Sequence, residues 1–258
     1  MSVKISVLGS SSSGNCTFIA TSQTKILLDV GFSPTQITKR LQSIGESLEN
    51  IDAIVISHEH SDHITGLQGL LSKQQIPIII GEPTLAALQP SLSCDRLEFI
   101  AAGRSFHFRD LKISAFSIPH DAVDPLGFTF EAEGIKIGHV TDLGYLTELV
   151  IQRLQACDVL VLESNHDLDM LKVGPYPWFL KQRIMGRQGH LCNDVVGRFF
   201  MEGFDGKAQY IILAHLSESN NHPDIARMSA VQALEPRGFN LEHLFVAGKG
   251  TPSQMIEI

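Results

Sequence analysis

The sequence predicts a layered α/β protein in which helices cover sheets, and two observations carry that prediction. Short β-type runs and helical patterns alternate in both halves of the chain, as layered α/β architectures require. Gly and Pro punctuate the chain evenly, with no repeat, heptad or low-complexity linker, so one domain over residues 1–258 is expected. A length of 258 residues, 43% of them hydrophobic and 19% charged, is ample for a substantial core without disulfide staples.

Taken in order, the β-type runs 3–8, 17–20, 25–29 and 53–57 come first, with a helical pattern over 34–44 that opens on a proline suited to a first helical turn. Runs 111–118, 126–131 and 135–141 read as successive strands, 146–155 as a helix and 158–163 as a buried strand. A helix near 193–202, a strand over 210–214 and a helix near 223–234 follow.

Several classes are excluded at this point. The longest apolar runs, such as 76–80, fall far short of the ~18 residues a membrane helix needs. Only six residues, 3–8 with Lys4 among them, precede the first Gly/Ser loop, too few for a secretory leader, so a cytoplasmic protein is expected. Cys16, Cys94, Cys157 and Cys192 form no C-x-x-C pair and read as reduced thiols. The net charge of −8 gives little diffuse attraction to nucleic acid. One stretch departs from that balance: residues 170–198 hold Lys172, Lys181, Arg183, Arg187 and Arg198 against Asp194 alone. Tyr176, Trp178 and Phe179 are interleaved with these cations, as a strand-binding groove needs, although an amphipathic helix with its rings in the core has the same pattern.

The chemistry concentrates at strand ends. The apolar run 51–56 leads into the polar run Ser57-His58-Glu59-His60-Ser61-Asp62-His63, which core packing does not call for. In an extended segment His58 and His60 share a face, and Asp62 and His63 turn toward a second position as a helix begins. Imidazole and carboxylate are ligands of borderline divalent metals. His120, Asp142 and His215 each stand just past an apolar strand. Seven donors exceed one tetrahedral ion and suit two ions with a bridging carboxylate.

The HEHSDH segment at 58–63 resembles the His-x-His-x-Asp-His motif of the metallo-β-lactamase superfamily. The resemblance implies an αββα sandwich, two mixed sheets flanked by helices, with the site at the sheet edges. It implies that His58, His60 and His120 hold one metal and Asp62, His63 and His215 the other, with Asp142 bridging. More narrowly, LGSSSSGNCTFI at 8–19, IPHDAVDPLGF at 118–128, VLESNHD at 161–167, GHLCN at 189–193 and AHLSESNN at 214–221 resemble the bacterial YycJ (WalJ) group, over nearly the whole chain. Cys192 replaces the Ser expected in that group, and the chain has no room for the inserted domain of β-CASP nucleases such as ribonuclease J.

Two metals polarise a phosphoryl oxygen and acidify a bridging water, so a metal-activated hydroxide attacking a phosphodiester is expected. Zinc or manganese suits the donors, and iron is compatible. His190 precedes a helix that Asn193 or Asp194 would cap, a place that favours an anionic phosphate, and GHLCN resembles the Gly-His-Ala-Ser segment of superfamily nucleases. It reads as a phosphate contact or proton donor. Glu163 and His166 follow a buried strand and resemble the Glu-bearing segment of ribonuclease Z, which implies a role in orienting a ligand or moving a proton. The catalytic set is then Asp62, His190, His166 and Glu163, and the substrate contacts are Lys172, Lys181, Arg183, Arg187 and His190. The resemblance implies a DNA exonuclease of 5′ to 3′ polarity. An RNA-processing nuclease and a thioester hydrolase of the glyoxalase II kind share the same ligands. The Gly/Ser segment 9–14 lacks a P-loop pattern and reads as a turn supporting the metal rim.

Overall fold

The computed structural model describes residues 2–88, 94 and 96–258. Its strands are β1 (Lys4–Ser11), β2 (Gly14–Ala20), β3 (Lys25–Leu28), β4 (Ala53–Val55), β5 (Ile78–Ile80), β6 (Leu97–Phe99), β7 (Ser105–Phe108), β8 (Leu111–Ser117), β9 (Leu126–Ala132), β10 (Ile135–Val140), β11 (Val159–Glu163), β12 (Tyr210–Ala214), β13 (Leu244–Val246) and β14 (Ile256–Glu257). They form two seven-stranded sheets, ordered β14-β1-β2-β3-β4-β5-β6 and β13-β12-β11-β10-β9-β8-β7. Both sheets follow one plan. Antiparallel hairpins, β1–β2–β3 and β7–β8–β9–β10, lead into parallel strands, β3–β6 and β10–β13.

The helices are α1 (Pro34–Ser43), α2 (Ser61–Ile64), α3 (Leu67–Leu71), α4 (Glu82–Leu88), α5 (Glu148–Leu154), α6 (Leu168–Val173), α7 (Trp178–Ile184), α8 (Asn193–Glu202) and α9 (Pro223–Leu234). Side-chain alternation sorts the strands between cores. Ala53 and Val55 of β4, with Val159 and Val161 of β11, enter the core between the sheets. Ile54 instead packs outward with Ile37, Leu41 and Leu67, and Leu160 and Leu162 pack outward with Val150, Val196 and Leu234. The result is the expected αββα sandwich.

Sequence and structure part where a buried polar group competes with regular pairing. The predicted strand 53–57 stops at Val55, because the Ser57 amide donates to Asp29 Oδ1 (2.9 Å) instead of extending the ladder. The helix expected over 146–155 starts at Glu148, where Thr147 accepts from the Val150 amide. Neither Asn193 nor Asp194 caps α8. Its N-cap is Cys192, whose side chain makes no capping bond, while Asn193 is drawn inward to Ser164 and Asn221. The short strands β6, β7, β13 and β14 carry too few residues for a period to show. All four cysteines are free thiols. Among the described residues no helix is long and apolar enough to cross a membrane.

Candidate metal centre

Parallel strands deliver their C-terminal ends to one rim, and the functional side chains stand there. β4 leads to His58, His60, Asp62 and His63, the last two on α2; β8, β10, β11 and β12 lead to His120, Asp142, Glu163 and His215. Asp29, Asp142 and His215 follow β3, β10 and β12 with φ of 58°, 63° and 56°. This left-handed backbone is uncommon outside glycine and turns the chain abruptly off a strand end, and such conformations cluster at functional sites.

Two donor clusters carry the seven expected ligands, His58, His60 and His120, and Asp62, His63, Asp142 and His215, and a third group, Asp142, Glu163, His190 and His215, overlaps the second; in each, one ligand atom per residue lies within 4.8 Å of the others. His60 Nδ1 is 3.2 Å from His120 Nε2 in the first. Asp142 connects the two, with Oδ2 3.3 Å from His63 Nε2 and Oδ1 3.9 Å from His120 Nε2. Buried His58 Nε2, Asp142 Oδ2 and His215 Nε2 make no hydrogen bond. An unpaired buried polar atom is costly, and three of them converging among imidazoles and carboxylates fit divalent cations.

The surrounding polar groups fix these donors in place. Buried Asp29 accepts from Ser57 Oγ (2.8 Å) and holds His63 Nδ1 at 2.8 Å. Asn15 Nδ2 reaches Asp62 Oδ2 at 3.2 Å; Ser10 Oγ donates to Asn15 Oδ1 and accepts from the His215 amide, both at 2.7 Å. The support comes from the ends of β1 and β2, Ser10 and Asn15, rather than from the turn between them. Glu163, fully buried, holds His215 Nδ1 at 2.7 Å and His190 Nδ1 at 2.9 Å, and accepts from the amides of Leu191, Asp142 and Leu143. Asp29, Ser57 and Asn15 were not singled out by the sequence. Asp29 carries a signal, an acid ending the apolar run 26–28, and Ser57 opens the polar run that core packing does not call for.

Charge divides the clusters. Burial holds the His58 and His120 imidazoles below their usual range, so they are neutral and ready to ligate. Burial opposes charging His63 and His215 as well, but Asp142 and Asp29 outweigh it at His63, and Asp142, Asp62 and Glu163 raise His215 to about 10. Burial would raise the carboxyls, yet these imidazoles hold Asp62 and Asp142 well below the carboxylate range and His190 and His215 bring Glu163 to about 2. Protons here stand where a cation's charge would.

The sequence profile of the Beta-lactamase superfamily domain matches residues 24–193. The chain belongs to the metallo-β-lactamase superfamily. It is 33% identical over 248 residues to exodeoxyribonuclease YycJ of Bacillus anthracis, covering 95% of this chain and 94% of that one. It is 35% identical over 236 residues to exodeoxyribonuclease WalJ of Streptococcus pneumoniae serotype 2, covering 90% and 88%. The metallo-β-lactamase fold protein YhfI of Bacillus subtilis superimposes with a TM-score of 0.76 at 18% identity, over 100% of this chain and 99% of that one. The chain is a metal-dependent hydrolase of the YycJ/WalJ-like group within this superfamily.

Other expected residues fall around this superfamily centre. His190 is partly exposed at its mouth. Glu163 hydrogen-bonds the His215 and His190 imidazoles. His166 is buried beside Cys192, its Nδ1 makes no hydrogen bond, burial lowers it to about 4, and it joins neither donor cluster. Lys181 is not positioned as a substrate contact: it is 7% exposed, and its Nζ donates to the Lys172 carbonyl at 2.6 Å, because the turn between α6 and α7 folds it inward. Lys172 is exposed and pairs with Asp169 (3.1 Å); Arg183 pairs with Asp121, next to His120; the Arg187 guanidinium lies 4.5 Å over the Tyr145 ring.

Proposed function

We propose that the protein is a dinuclear phosphodiesterase that degrades DNA from an end, an activity that two similar proteins carry in their names. One observation carries this reading: Asp142 stands between two donor clusters, 3.3 Å from His63 Nε2 and 3.9 Å from His120 Nε2, and His190, fixed by Glu163, stands beside them. Two divalent ions bound there, zinc or manganese with iron also compatible, supply polarisation of the phosphoryl oxygen and an acidified water. His58, His60 and His120 would hold one ion and Asp62, His63 and His215 the other, with Asp142 within reach of both.

The chain's own groups do the rest. Asp62, steadied by Asn15, orients the attacking water. Glu163 occupies His190 Nδ1, which leaves Nε2 to bind a phosphate oxygen or protonate the leaving group. A thioester hydrolase has the same donors but no use for His190 beside arginines. The 5′ to 3′ direction rests on family resemblance, and free thiols accord with action in the cytoplasm as a single domain.

The test supplies zinc or manganese and compares end-labelled DNA and RNA, single- and double-stranded, with a glutathione thioester. Release of nucleotides from DNA ends is expected, with two ions per chain by elemental analysis. Hydrolysis of the thioester alone, cleavage of RNA alone, or one ion or fewer with metal in excess overturns the reading.

A further inference from the structure

Glu59 and Asp124 belong to neither donor cluster, and neither carboxylate has a cationic side chain to pair with among the described residues. Glu59 lies between His58 and His60; its Oε1 accepts from the Val123 amide at 2.8 Å, while its Oε2, shielded from solvent, makes no hydrogen bond. Asp124 stands half-buried in the loop between His120 and β9. Burial first, and then the Glu59 charge, push its carboxyl above the usual range, so the two acids face each other closely enough to repel.

A buried hydroxyl is aimed at the same place. Thr84 of α4 is 0% exposed, and its Oγ1 makes no hydrogen bond. A helical threonine ordinarily donates to a carbonyl one turn back; here those carbonyls, on Ile80 and Gly81, accept from the Ile100 and Leu85 amides instead (3.2 and 2.9 Å). An unpaired buried hydroxyl is destabilising, and Gly81 shows what it faces. A Cβ on Gly81 would lie 3.3 Å from Asp124 Oδ2, 3.4 Å from Thr84 Oγ1 and 3.8 Å from the Ile100 carbonyl oxygen, its three nearest neighbours. Three oxygens from three segments thus surround a gap that glycine leaves open.

We propose that Glu59, Asp124 and Thr84 form an oxygen-only site for a hard divalent cation, magnesium, separate from the histidine-rich centre. Magnesium characteristically binds through one or two carboxylates and keeps several of its waters. Two half-buried carboxylates suit that habit, and the Thr84 hydroxyl and Ile100 carbonyl stand where such waters would donate. The set has no imidazole or thiolate, so zinc gains little from it. An ion here clamps three segments: the His58–His60 turn through Glu59, the loop after His120 through Asp124, and the junction of β5 with α4 through Thr84. It thereby holds in register the two loops that deliver His58, His60 and His120, and the assignment does not depend on the phosphodiesterase reading.

The zinc-loaded protein is titrated with magnesium chloride, followed by calorimetry and by thermal unfolding. One magnesium per chain is expected beyond the zinc, and magnesium at about ten times its Kd should raise the unfolding midpoint by about 3 °C. Asp124→Asn should weaken magnesium binding by about 10-fold or more and Thr84→Val by about 3-fold, with zinc content as in the parent. Without magnesium, Asp124→Asn should be at least as stable as the parent, because it relieves the repulsion from Glu59; with magnesium the order reverses. No magnesium-dependent shift in the parent overturns the site, as does an Asp124→Asn variant less stable than the parent in both conditions. Parent affinity for magnesium in both variants would place the ion elsewhere, and loss of zinc together with magnesium would merge the site with the centre; either result overturns it. No arm reads nuclease activity, so failure of this site and failure of the phosphodiesterase reading stay distinct.

Discussion

The two donor clusters differ in charge, although they stand on one rim with the Asp142 carboxylate between them. His58, His60 and His120 bring three imidazoles and no acid of their own, and burial keeps His58 and His120 neutral. Asp62, His63, Asp142 and His215 combine two carboxylates with two imidazoles whose protons those carboxylates retain. The first offers lone pairs and no attraction at a distance; the second attracts a cation but must release protons to bind it. Asp142 is the carboxylate that stands between the clusters.

Removing it is the most severe way to break the comparison. Asp142→Ala should lower turnover by about 10³-fold, equivalent to several kcal/mol of lost charge stabilisation, and bring metal content below that of His60→Ala, which touches one cluster only. Elemental analysis with a turnover assay decides this. Near-parent activity would mean that Asp142 does not join the two. His190→Ala should fall about 10²-fold in kcat with metal content unchanged, because its Nδ1 is engaged by Glu163 at 2.9 Å. Metal loss equal to that of His60→Ala would make it a ligand.

The clusters also differ in how far the sequence disclosed them. His58, His60, Asp62 and His63 lie in six consecutive residues, so their convergence needs no tertiary structure. His120, Asp142 and His215 come one per strand, and their meeting depends on the order β8 to β12, which a strand-end position suggests but does not establish. Asp29 stayed unseen in its role because that role comes from the parallel pairing of β3 with β4, which sets its carboxylate against Ser57 and His63. Lys181 was misread for a similar reason: charge is visible in a sequence, and the inward turn between α6 and α7 is not.

Buried histidines lacking a retained proton sharpen the contrast. His139, whose Nε2 lies 3.1 Å from Thr17 Oγ1, is lowered to about 4 by burial, against 6.5 when unfolded. Between those values the unfolded chain binds more protons, so stability rises with pH from about 4 to 6.5 and falls as the medium is acidified. The shift corresponds to at most about 3 kcal/mol. His139→Gln should therefore show a smaller loss of stability than the parent between pH 7 and pH 5, measured by urea unfolding of the metal-chelated protein. An identical pH dependence in both would place the acid sensitivity elsewhere.

The smallest effect separates two arginines of one pocket. Arg183 is neutralised by Asp121, whereas Arg187 stacks on Tyr145 and has no ion pair among the described residues. An arginine already paired must give up its carboxylate before it can bind a phosphate, so it releases fewer counterions on binding than a free one. On single-stranded DNA each phosphate neutralised contributes about −0.7 to the slope of log affinity against log salt. Arg187→Ala should flatten that slope by about 0.7, and Arg183→Ala by clearly less. Asp121→Asn, which frees Arg183, should steepen the slope and tighten binding at low salt. Equal flattening by the two arginine variants would show that the strand displaces Asp121 without cost, and no change in either would move the phosphate path off this pocket.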